Sequence, residues 1–485
     1  MSLLDKATGN FWIDNGLVML HQVLRGGNLP EDVNSVVQRI VQRIYVETGK
    51  TAEYLDSQTQ QIKTYKKRNW KEPIGLFISV VDQVPKQKVG DKEYYTRPPE
   101  PRIAIQPAGN QRCDFCGEKG KVVSAKLYLF PFVIDPNKFA NFYSHARRGL
   151  KMCARCAVAG FAAFESWLWR RQGKTFHFFL FHTDLDRLHA LHNSLIAQIQ
   201  LSESTSGGNF EAPFFGEYPF ENLFALLLRL FEWLHHREPE GELDPILAEL
   251  TGACPVAGNP IVIYAISGID SGKSFSMRAL NQFDRFQPFY RLYKSWLEGL
   301  AGLSATPPHQ ALIQVFRQFQ HRRQQSTETL WREQICRAIL QQADPAPTVE
   351  RFLYEVSTDT RKPAVYGTRE VLHIYLREVM KMDEKLLNIL SGFGYHLGSQ
   401  AADKQEMGLL YALRNAKNLD QFMEVLNQIQ FTLGLTINPE LLRVEPGERI
   451  AGAPWNRVKT LLAIHAMNAY LRKQQGSTTT EGGEQ

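Results

Sequence analysis

Long apolar runs are absent from this sequence of 485 residues. The apolar stretch at residues 224–234, for example, is interrupted by Arg229 and Glu232 and is well short of the roughly 20 residues that a membrane-spanning helix requires. The opening residues, MSLLDKATGN, also lack the apolar segment of a secretory signal peptide. We therefore expect a soluble, cytoplasmic protein with reduced cysteines and no membrane partner.

Recognisable catalytic motifs are missing as well. We find no His-Glu-x-x-His motif, no serine, histidine and aspartate in a triad order, and no suggestively spaced pair of carboxylates. The charge is modest, because 56 lysines and arginines against 50 acidic residues leave a formal net charge of +6. These observations predict a protein that is not an enzyme, and the charge alone does not establish a nucleic-acid partner.

Cysteine is scarce, but most of it is concentrated in one region. Four of the six cysteines form two Cys-x-x-Cys pairs with 36 residues between them, namely Cys113, Cys116, Cys153 and Cys156. Two such pairs supply the closed four-sulfur shell of structural zinc, whereas disulfides need an oxidising compartment and a redox motif needs only one pair. We therefore predict a zinc ion that shapes the fold and catalyses nothing. His189 and His192, one helical turn apart, lack a third ligand.

Positive charge is concentrated in a few segments. Residues 65–71 combine four cations with two aromatic side chains, which is typical either of a solvated helix end or of a surface that contacts phosphates and stacks bases. Residues 145–151 and 314–332 add basic clusters, and a core helix with a basic outer face explains the second equally well. We predict that seven of these side chains contact nucleic-acid phosphates: Lys66, Lys67, Arg68, Arg147, Arg148, Arg322 and Arg323.

A glycine-rich segment at residues 261–274 resembles a phosphate-binding loop, because an apolar strand leads into a turn ending in Gly272, Lys273 and Ser274, and we predict a helix after it. The spacing differs from that motif, since Ser267 occupies the position of its first glycine. The turn still suits contact with a polyanion through backbone amides and a short cation. We therefore assign Lys273 to the nucleic-acid surface and keep a divergent nucleotide hydrolase as an alternative function.

The length predicts two or three domains, and the apolar periodicity predicts an α+β fold that is predominantly helical. We expect a mixed body from residues 1–108 and 161–344, a zinc-binding insertion at 109–160, a helical bundle at 345–474 and a disordered tail at 475–485. The bundle begins after a proline-rich corner that we interpret as a linker.

Individual elements follow from the same patterns. We predict helices at residues 34–48, 154–171 and 222–235, strands at 76–81 and 174–182, and loops at 84–101 and 202–209. In the bundle, four amphipathic stripes predict helices around residues 371–379, 407–413, 422–429 and 458–469. We interpret Gly392 as a separator between the first and the second of these helices.

The sequence resembles the CXXC-CXXC large subunits of type I CRISPR surveillance complexes, known as Cascade, near subtype I-B. It shares with them the paired cysteine motifs in mid-chain, a basic and aromatic body and a helical carboxy-terminal region. The resemblance covers most of the chain, and the residues that it matches individually are Cys113, Cys116, Cys153 and Cys156. It implies a non-enzymatic subunit that recognises the protospacer-adjacent motif on duplex DNA, assists strand opening and stabilises the R-loop.

The same resemblance implies a set of partners. These are the target duplex and its displaced strand, the CRISPR guide RNA, the guide-capping, backbone and small subunits, and an effector helicase-nuclease or transposition proteins. The bundle at residues 345–474 would correspond to the small subunit. From the residues alone, two other functions stay open: the divergent nucleotide hydrolase and a zinc-bearing scaffold that binds only protein.

Overall fold

A computed structural model of the protein describes residues 3–78, 81–132, 149–205, 207–238, 241, 243–272, 275–323 and 326–481. The predicted α+β class is confirmed, with 48% helix and 20% strand. No helix in these ranges is both long and apolar enough to cross a membrane. The chain divides into two compact units, Met1–Glu211 with Arg237–Phe286 and Ala212–His236 with Gln287–Gln485.

The regular elements are numbered in chain order. The helices are α1 (Phe11–Val23), α2 (Val33–Ile44), α3 (Ala154–Ala162), α4 (Leu185–Leu191), α5 (Ala197–Ile199), α6 (Pro219–Arg237), α7 (Pro245–Thr251), α8 (Phe286–Leu300), α9 (Pro308–Arg317), α10 (Leu330–Leu340), α11 (Ala346–Phe352), α12 (Thr358–Thr360), α13 (Thr368–Glu378), α14 (Glu384–Asp403), α15 (Met407–Asn415), α16 (Leu419–Leu433), α17 (Pro439–Leu442) and α18 (Trp455–Glu481). The strands are β1 (Tyr45–Leu55), β2 (Ile62–Trp70), β3 (Lys86–Val89), β4 (Lys92–Tyr95), β5 (Ala108–Arg112), β6 (Lys119–Ser124), β7 (Lys151–Cys153), β8 (Leu168–Gln172), β9 (Thr175–His182), β10 (Gln200–Thr205), β11 (Gly208–Phe210), β12 (Val262–Asp270), β13 (Phe275–Phe283), β14 (His321–Arg323), β15 (Ser326–Glu328), β16 (Val444–Glu445), β17 (Arg449–Ile450) and β18 (Ala453–Pro454).

The division between the units differs from the boundary that we expected at residue 345. Residues 212–236 and 287–344, which we assigned to the amino-terminal body, belong to the second unit. The reason is a shared apolar core, in which Phe224 of α6 packs on Phe316 of α9 with ring centroids 4.5 Å apart. Pro347 lies in the first turn of α11, where the missing amide proton of proline is no loss. The proline-rich corner therefore starts a helix within the second unit.

A six-stranded antiparallel sheet, in the order β10-β11-β8-β9-β12-β13, forms the core of the first unit. Its strand β9 is the buried aromatic strand predicted at residues 174–182. β13 pairs with β12 in a hairpin, so a strand follows the glycine-rich turn where we predicted a helix. A phosphate-binding loop needs the amides of a helix N-terminus, which this hairpin does not provide. Lys273 and Ser274 themselves lie outside the described residues.

A second sheet of the first unit, in the order β2-β1-β4-β3, replaces segments that we predicted to be irregular. Residues 65–71 belong mostly to β2 rather than to a helix end, and the predicted loop at 84–101 contains the β3–β4 hairpin. These strands are polar on both faces, so the apolar alternation of a half-buried strand is missing. The predicted loop at 202–209 likewise contains β10 and β11. The opposite error occurs at residues 76–78 of the strand predicted at 76–81, where a 3₁₀ turn at Ile74–Leu76 precedes two buried residues; residues 79–80 lie outside the described residues.

Helices dominate the second unit, and its predicted apolar stripes are confirmed in α13, α15, α16 and α18. We missed α14, because its glycines suggested a break. Gly392 lies inside this helix, and a Cβ atom at Gly398 would lie 1.9 Å from the carbonyl oxygen of Ala466. The backbones of α14 and α18 therefore approach each other closely.

The carboxy-terminal end also differs from our expectation. α18 runs to Glu481, so residues 475–481 of the expected disordered tail are helical, while residues 482–485 lie outside the described residues. Adding residues to an existing helix avoids the unfavourable nucleation step, which explains how a polar segment can extend α18.

We expect Gly398→Ala to destabilise the second unit by about 1–3 kcal/mol, because the added methyl group must push α14 away from α18. Gly392→Ala is the matched control in the same helix. Its Cβ would meet no atom within 4 Å, so replacing glycine should stabilise the helix by about 0.5–1 kcal/mol. Urea denaturation followed by far-UV circular dichroism measures both changes. Equal effects of the two substitutions would contradict the close approach.

Candidate metal centre and basic surface

Four cysteines from two separate segments converge in the first unit. Cys113 and Cys116 lie in the turn between β5 and β6, Cys153 ends β7, and Cys156 lies in the first turn of α3. An antiparallel sheet of β5, β6 and β7 joins the two segments, with Val122 opposite Cys153. The four Sγ atoms all lie within 4.8 Å of one another, and those of Cys116 and Cys153 are 3.6 Å apart.

This arrangement fits a metal ion bound by four sulfur atoms. In a tetrahedral shell with metal–sulfur bonds of about 2.3 Å, the sulfur atoms are about 3.8 Å apart, close to the separation of Cys116 and Cys153. All six cysteines are free, so neither pair forms a disulfide. Thiolate ligands suit soft or borderline metal ions. The predicted set of metal ligands is therefore confirmed as a cluster that can hold a metal ion.

Backbone hydrogen bonds shape the first cysteine turn and attach it to the second segment. The amide of Gly117 donates to the carbonyl of Cys113 at 3.0 Å. The backbone φ of Gly117 is +75°, a value that glycine adopts without strain. The amide of Asp114 donates to the carbonyl of Lys151 at 2.8 Å, and its Oδ2 accepts a hydrogen bond from the amide of Lys151 at 2.7 Å. The protein chain therefore holds both cysteine pairs in position.

Hydrogen bonds among the thiols shift their pKa values in opposite directions. Hydrogen bonds with Cys153 and Cys156 lower the pKa of Cys113, whereas hydrogen bonds with Cys113 and Cys153 raise the pKa of Cys156. Four thiolates at this distance repel one another, and a bound cation removes that repulsion. Protons compete with a metal ion for the same sulfur atoms, so metal binding strengthens as the pH rises.

Helix α3 connects the cysteine cluster to the core of the first unit. A Cβ atom at Gly16 of α1 would lie 1.8 Å from the carbonyl oxygen of Ala159, so the two helices touch backbone to backbone. Nε1 of the buried Trp12 donates to the carbonyl oxygens of Leu129 and Gly160, at 3.0 and 2.9 Å. A displacement of α3 would therefore disturb this buried contact between α1 and α3.

α3 is shorter than the helix predicted at residues 154–171. It ends at Ala162, a 3₁₀ turn follows, and Leu168–Gln172 form β8. The predicted apolar stripe is nonetheless buried, because Trp167 stacks on Phe178 of β9 with ring centroids 4.4 Å apart. Packing against the sheet therefore decides where this helix ends.

The two histidines after β9 do not converge with a third ligand. Nε2 of His192 is 2.7 Å from Oδ1 of Asn15, and complete burial lowers the pKa of His192 to about 3. His189 packs against His21 instead, with ring centroids 5.0 Å apart. Among the residues that the structure describes, the four cysteines are the only cluster of three or more potential metal ligands.

We expect Cys113→Ser and Cys153→Ser each to abolish metal binding and to make the protein insoluble or protease-sensitive. A structural metal in a small motif contributes on the order of 10 kcal/mol of folding free energy. Elemental analysis and limited proteolysis measure the two effects. Cys254→Ser is the matched control, because Cys254 lies outside the cluster and its Sγ donates to the carbonyl of Pro245 at 3.4 Å. Folded protein without bound metal would contradict the assignment.

The basic residues predicted at 65–71 lie mostly on β2, an exposed strand. Nζ of Lys66 pairs with Glu47 at 3.0 Å, and Nη2 of Arg68 donates to the carbonyl of Tyr45 at 2.6 Å. Lys67 is exposed and forms no ion pair within the described ranges. Alternate residues of a strand point to opposite faces, so Lys67 lies on one face of the sheet and Lys66 and Arg68 lie on the other.

The face that carries Lys67 also carries aromatic side chains, of which our prediction included Tyr65 but not Tyr54 and Tyr95. Tyr65 packs edge-on against Tyr54 with ring centroids 5.9 Å apart, and Tyr54 is the strand partner of Tyr95 on β4. Nζ of Lys86 is 5.4 Å from the centroid of the Tyr95 ring. We call this surface the tyrosine face, and its residues are Tyr54, Tyr65, Tyr95, Lys63, Lys67, Lys86 and Lys88.

Part of the charge on the tyrosine face is available for a ligand. Lys63 and Lys86 each pair with an acidic side chain. Lys67 and Lys88 form no ion pair with any residue that the structure describes, and both are exposed. Lys63, Tyr65 and Lys67 follow one another at every second position of the sequence. This spacing could have predicted a strand with these three side chains on one face.

The other predicted contacts lie in the second unit or outside the described residues. Arg322 is exposed on β14 and Arg323 ends the same strand, both in the second unit. Arg147, Arg148 and Lys273 lie outside the described residues. Their assignment to nucleic acid stays a prediction.

No model of a known protein family matches this chain, and no curated protein matches its sequence significantly. Its function must therefore be argued from the cysteine cluster, the tyrosine face and the sequence pattern.

Proposed function

We propose that this protein is the large subunit of a type I CRISPR RNA-guided DNA-binding complex, near subtype I-B. The observation that carries the proposal is the cysteine cluster, because two motifs separated by 36 residues form one closed sulfur site, as the resemblance to CXXC-CXXC large subunits implies. In this proposal the chain is not an enzyme. It recognises the protospacer-adjacent motif on duplex DNA, assists strand opening and stabilises the R-loop.

We propose zinc as the metal, in a structural role. Zinc binds four sulfur ligands in tetrahedral geometry with bonds of about 2.3 Å, and the spacing of the cysteines supports this choice. Four protein ligands complete the shell and leave no position for water or substrate. Cys113, Cys116, Cys153 and Cys156 would hold the ion, which would join the β5–β7 sheet to α3.

The tyrosine face supports the nucleic-acid part of the proposal. Lys67 and Lys88 offer positive charge to phosphates, and three tyrosines offer aromatic rings to unpaired bases. Phosphate contacts position a nucleic acid without reading its sequence. We therefore assign this surface to the displaced strand or the guide RNA and assign no residue to reading the motif.

The remaining partners follow from the proposed place in the complex. They are the guide-capping, backbone and small subunits, together with an effector helicase-nuclease or transposition proteins that use the chain as a platform. The helices at residues 345–474, which lie within the second unit, are where we propose the resemblance to the small subunit.

We expect the double variant Lys67→Ala, Lys88→Ala to bind single-stranded DNA more weakly whatever its sequence. Each phosphate contact contributes about 0.7 to the slope of log affinity against log salt on a single strand, so losing two should reduce that slope by about 1.4. Fluorescence anisotropy at several salt concentrations measures it. Lys63→Ala, Lys86→Ala is the matched control, because these lysines are already paired with acids. An unchanged slope in the first variant would remove the tyrosine face from the proposal.

Co-purification tests the function itself. A tagged copy of the chain, recovered from its native cells at low salt, should carry short RNAs in which constant repeat-derived ends flank variable sequences. Sequencing of the bound RNA, compared with RNA recovered from untagged cells, gives the answer. Bound RNA without that arrangement, or no enriched RNA, would refute membership in an RNA-guided complex.

A further inference from the structure

A cavity of about 670 Å³ opens in the second unit. Its walls come from the segment that leads into α13, from α14 and from α18. This volume lies within the range of about 300–1,000 Å³ that is typical of small-molecule sites. Neither the cysteine cluster nor the tyrosine face contributes a residue to it.

Two tyrosines that line the cavity are unusually exposed. Tyr366 is 59% exposed and Tyr395 is 58% exposed, although most large aromatic side chains of this protein are buried. Burial is what makes an aromatic ring stabilising in a fold, so folding does not account for two exposed rings at one cavity. Their ring surfaces are available to a ligand.

Two arginines place positive charge in the same cavity. Nη2 of Arg472 donates to the carbonyl of Ala364 at 2.7 Å, and its guanidinium carbon is 5.6 Å from the centroid of the Tyr366 ring. Arg369 is exposed, and neither arginine forms an ion pair with a described residue. Glu370 is the one carboxylate of the described lining, so positive charge exceeds negative charge there.

Two glycines of α14 have different surroundings: one is packed against α18, and the other faces the open cavity. A Cβ atom at Gly394 would lie 2.5 Å from Cβ of His465, so packing of α14 against α18 requires that glycine. A Cβ atom at Gly392, one of the lining residues, would meet no atom within 4 Å. Residue 392 therefore has room for a side chain, and a large side chain there would extend into the cavity.

We propose that this cavity binds a nucleotide, that is, an aromatic base joined through a sugar to a phosphate. Tyr366 and Tyr395 would contact the base, because bases of every kind stack on aromatic side chains. Arg369 and Arg472 would contact the phosphate, since the planar guanidinium group matches phosphate oxygens. A simple anion would not use the tyrosines, and an uncharged aromatic compound would leave the positive charge of the arginines without a counter-charge.

The nucleotide is either free in solution or an unpaired residue of a single strand, and the chemistry of the cavity is the same for both. The proposal rests on the lining residues alone and holds whether or not the chain belongs to an RNA-guided complex.

The test uses the full chain carrying Lys67→Ala and Lys88→Ala, so that the tyrosine face contributes little. Isothermal titration with adenosine 5′-monophosphate and with a short single-stranded oligodeoxyadenylate separates the two sources. Saturable binding of the mononucleotide supports a free nucleotide, and binding of the oligonucleotide alone supports an unpaired residue in a strand. Absence of binding by both ligands would overturn the proposal.

Substitutions locate the bound ligand. Gly392→Phe should fill the cavity and abolish binding, while Gly408→Phe in α15, its matched control, should bind as the parent chain does, because Gly408 is not a lining residue and a Cβ atom there would meet no atom within 4 Å. Tyr395→Ala should weaken binding about tenfold or more, the loss expected for one stacked base. Arg369→Gln should weaken binding of the mononucleotide and leave that of adenosine, which lacks the phosphate, unchanged. Undiminished binding by Gly392→Phe, in protein whose circular dichroism spectrum matches the parent, would place the ligand elsewhere and refute the proposal.

Discussion

The convergence of four cysteine sulfur atoms within 4.8 Å of one another is the constraint on which the first unit depends. A cation bound by these sulfur atoms would join two segments that are far apart in the chain, the turn after β5 and the start of α3. The same helix touches α1 backbone to backbone through Gly16 and Ala159, and Nε1 of Trp12 in α1 donates to the carbonyl oxygens of Gly160 in α3 and of Leu129. A metal ion at the cluster would therefore support both the position of α3 and its packing against α1.

Whether a lysine or arginine of this protein is available to a ligand depends on the groups with which it pairs. Three adjacent cations of β2 have three different surroundings: Lys66 pairs with an acid, Arg68 bonds to a backbone carbonyl, and Lys67 has no ion-pair partner among the described residues. Lys88 belongs to the same face as Lys67, although 20 residues separate them. A basic run in the sequence thus overstates the charge available at one place and overlooks charge that a sheet brings in from elsewhere.

The glycines of α14 show how one residue type serves different purposes within one helix. Gly394 and Gly398 permit close contact with α18, and a side chain at either would collide with that helix. Gly392 faces open space and lines a cavity. Each of these glycines lowers the helix propensity by the same amount, so the sequence suggested a break in this segment. Packing between α14 and α18 nevertheless maintains a continuous helix.

The sequence by itself determined the features that depend on local spacing. Two Cys-x-x-Cys pairs specify the ligands of one site, the apolar residues of β9 specify a buried strand, and the apolar spacing of α2 and α6 specifies helices with a buried side. Only the tertiary structure decided the strand after the glycine-rich turn, the division of the chain into units and the tyrosine face. These features depend on which elements become neighbours: β13 pairs with β12, α6 shares a core with α9, and strands that are polar on both faces carry no apolar signal of their partners.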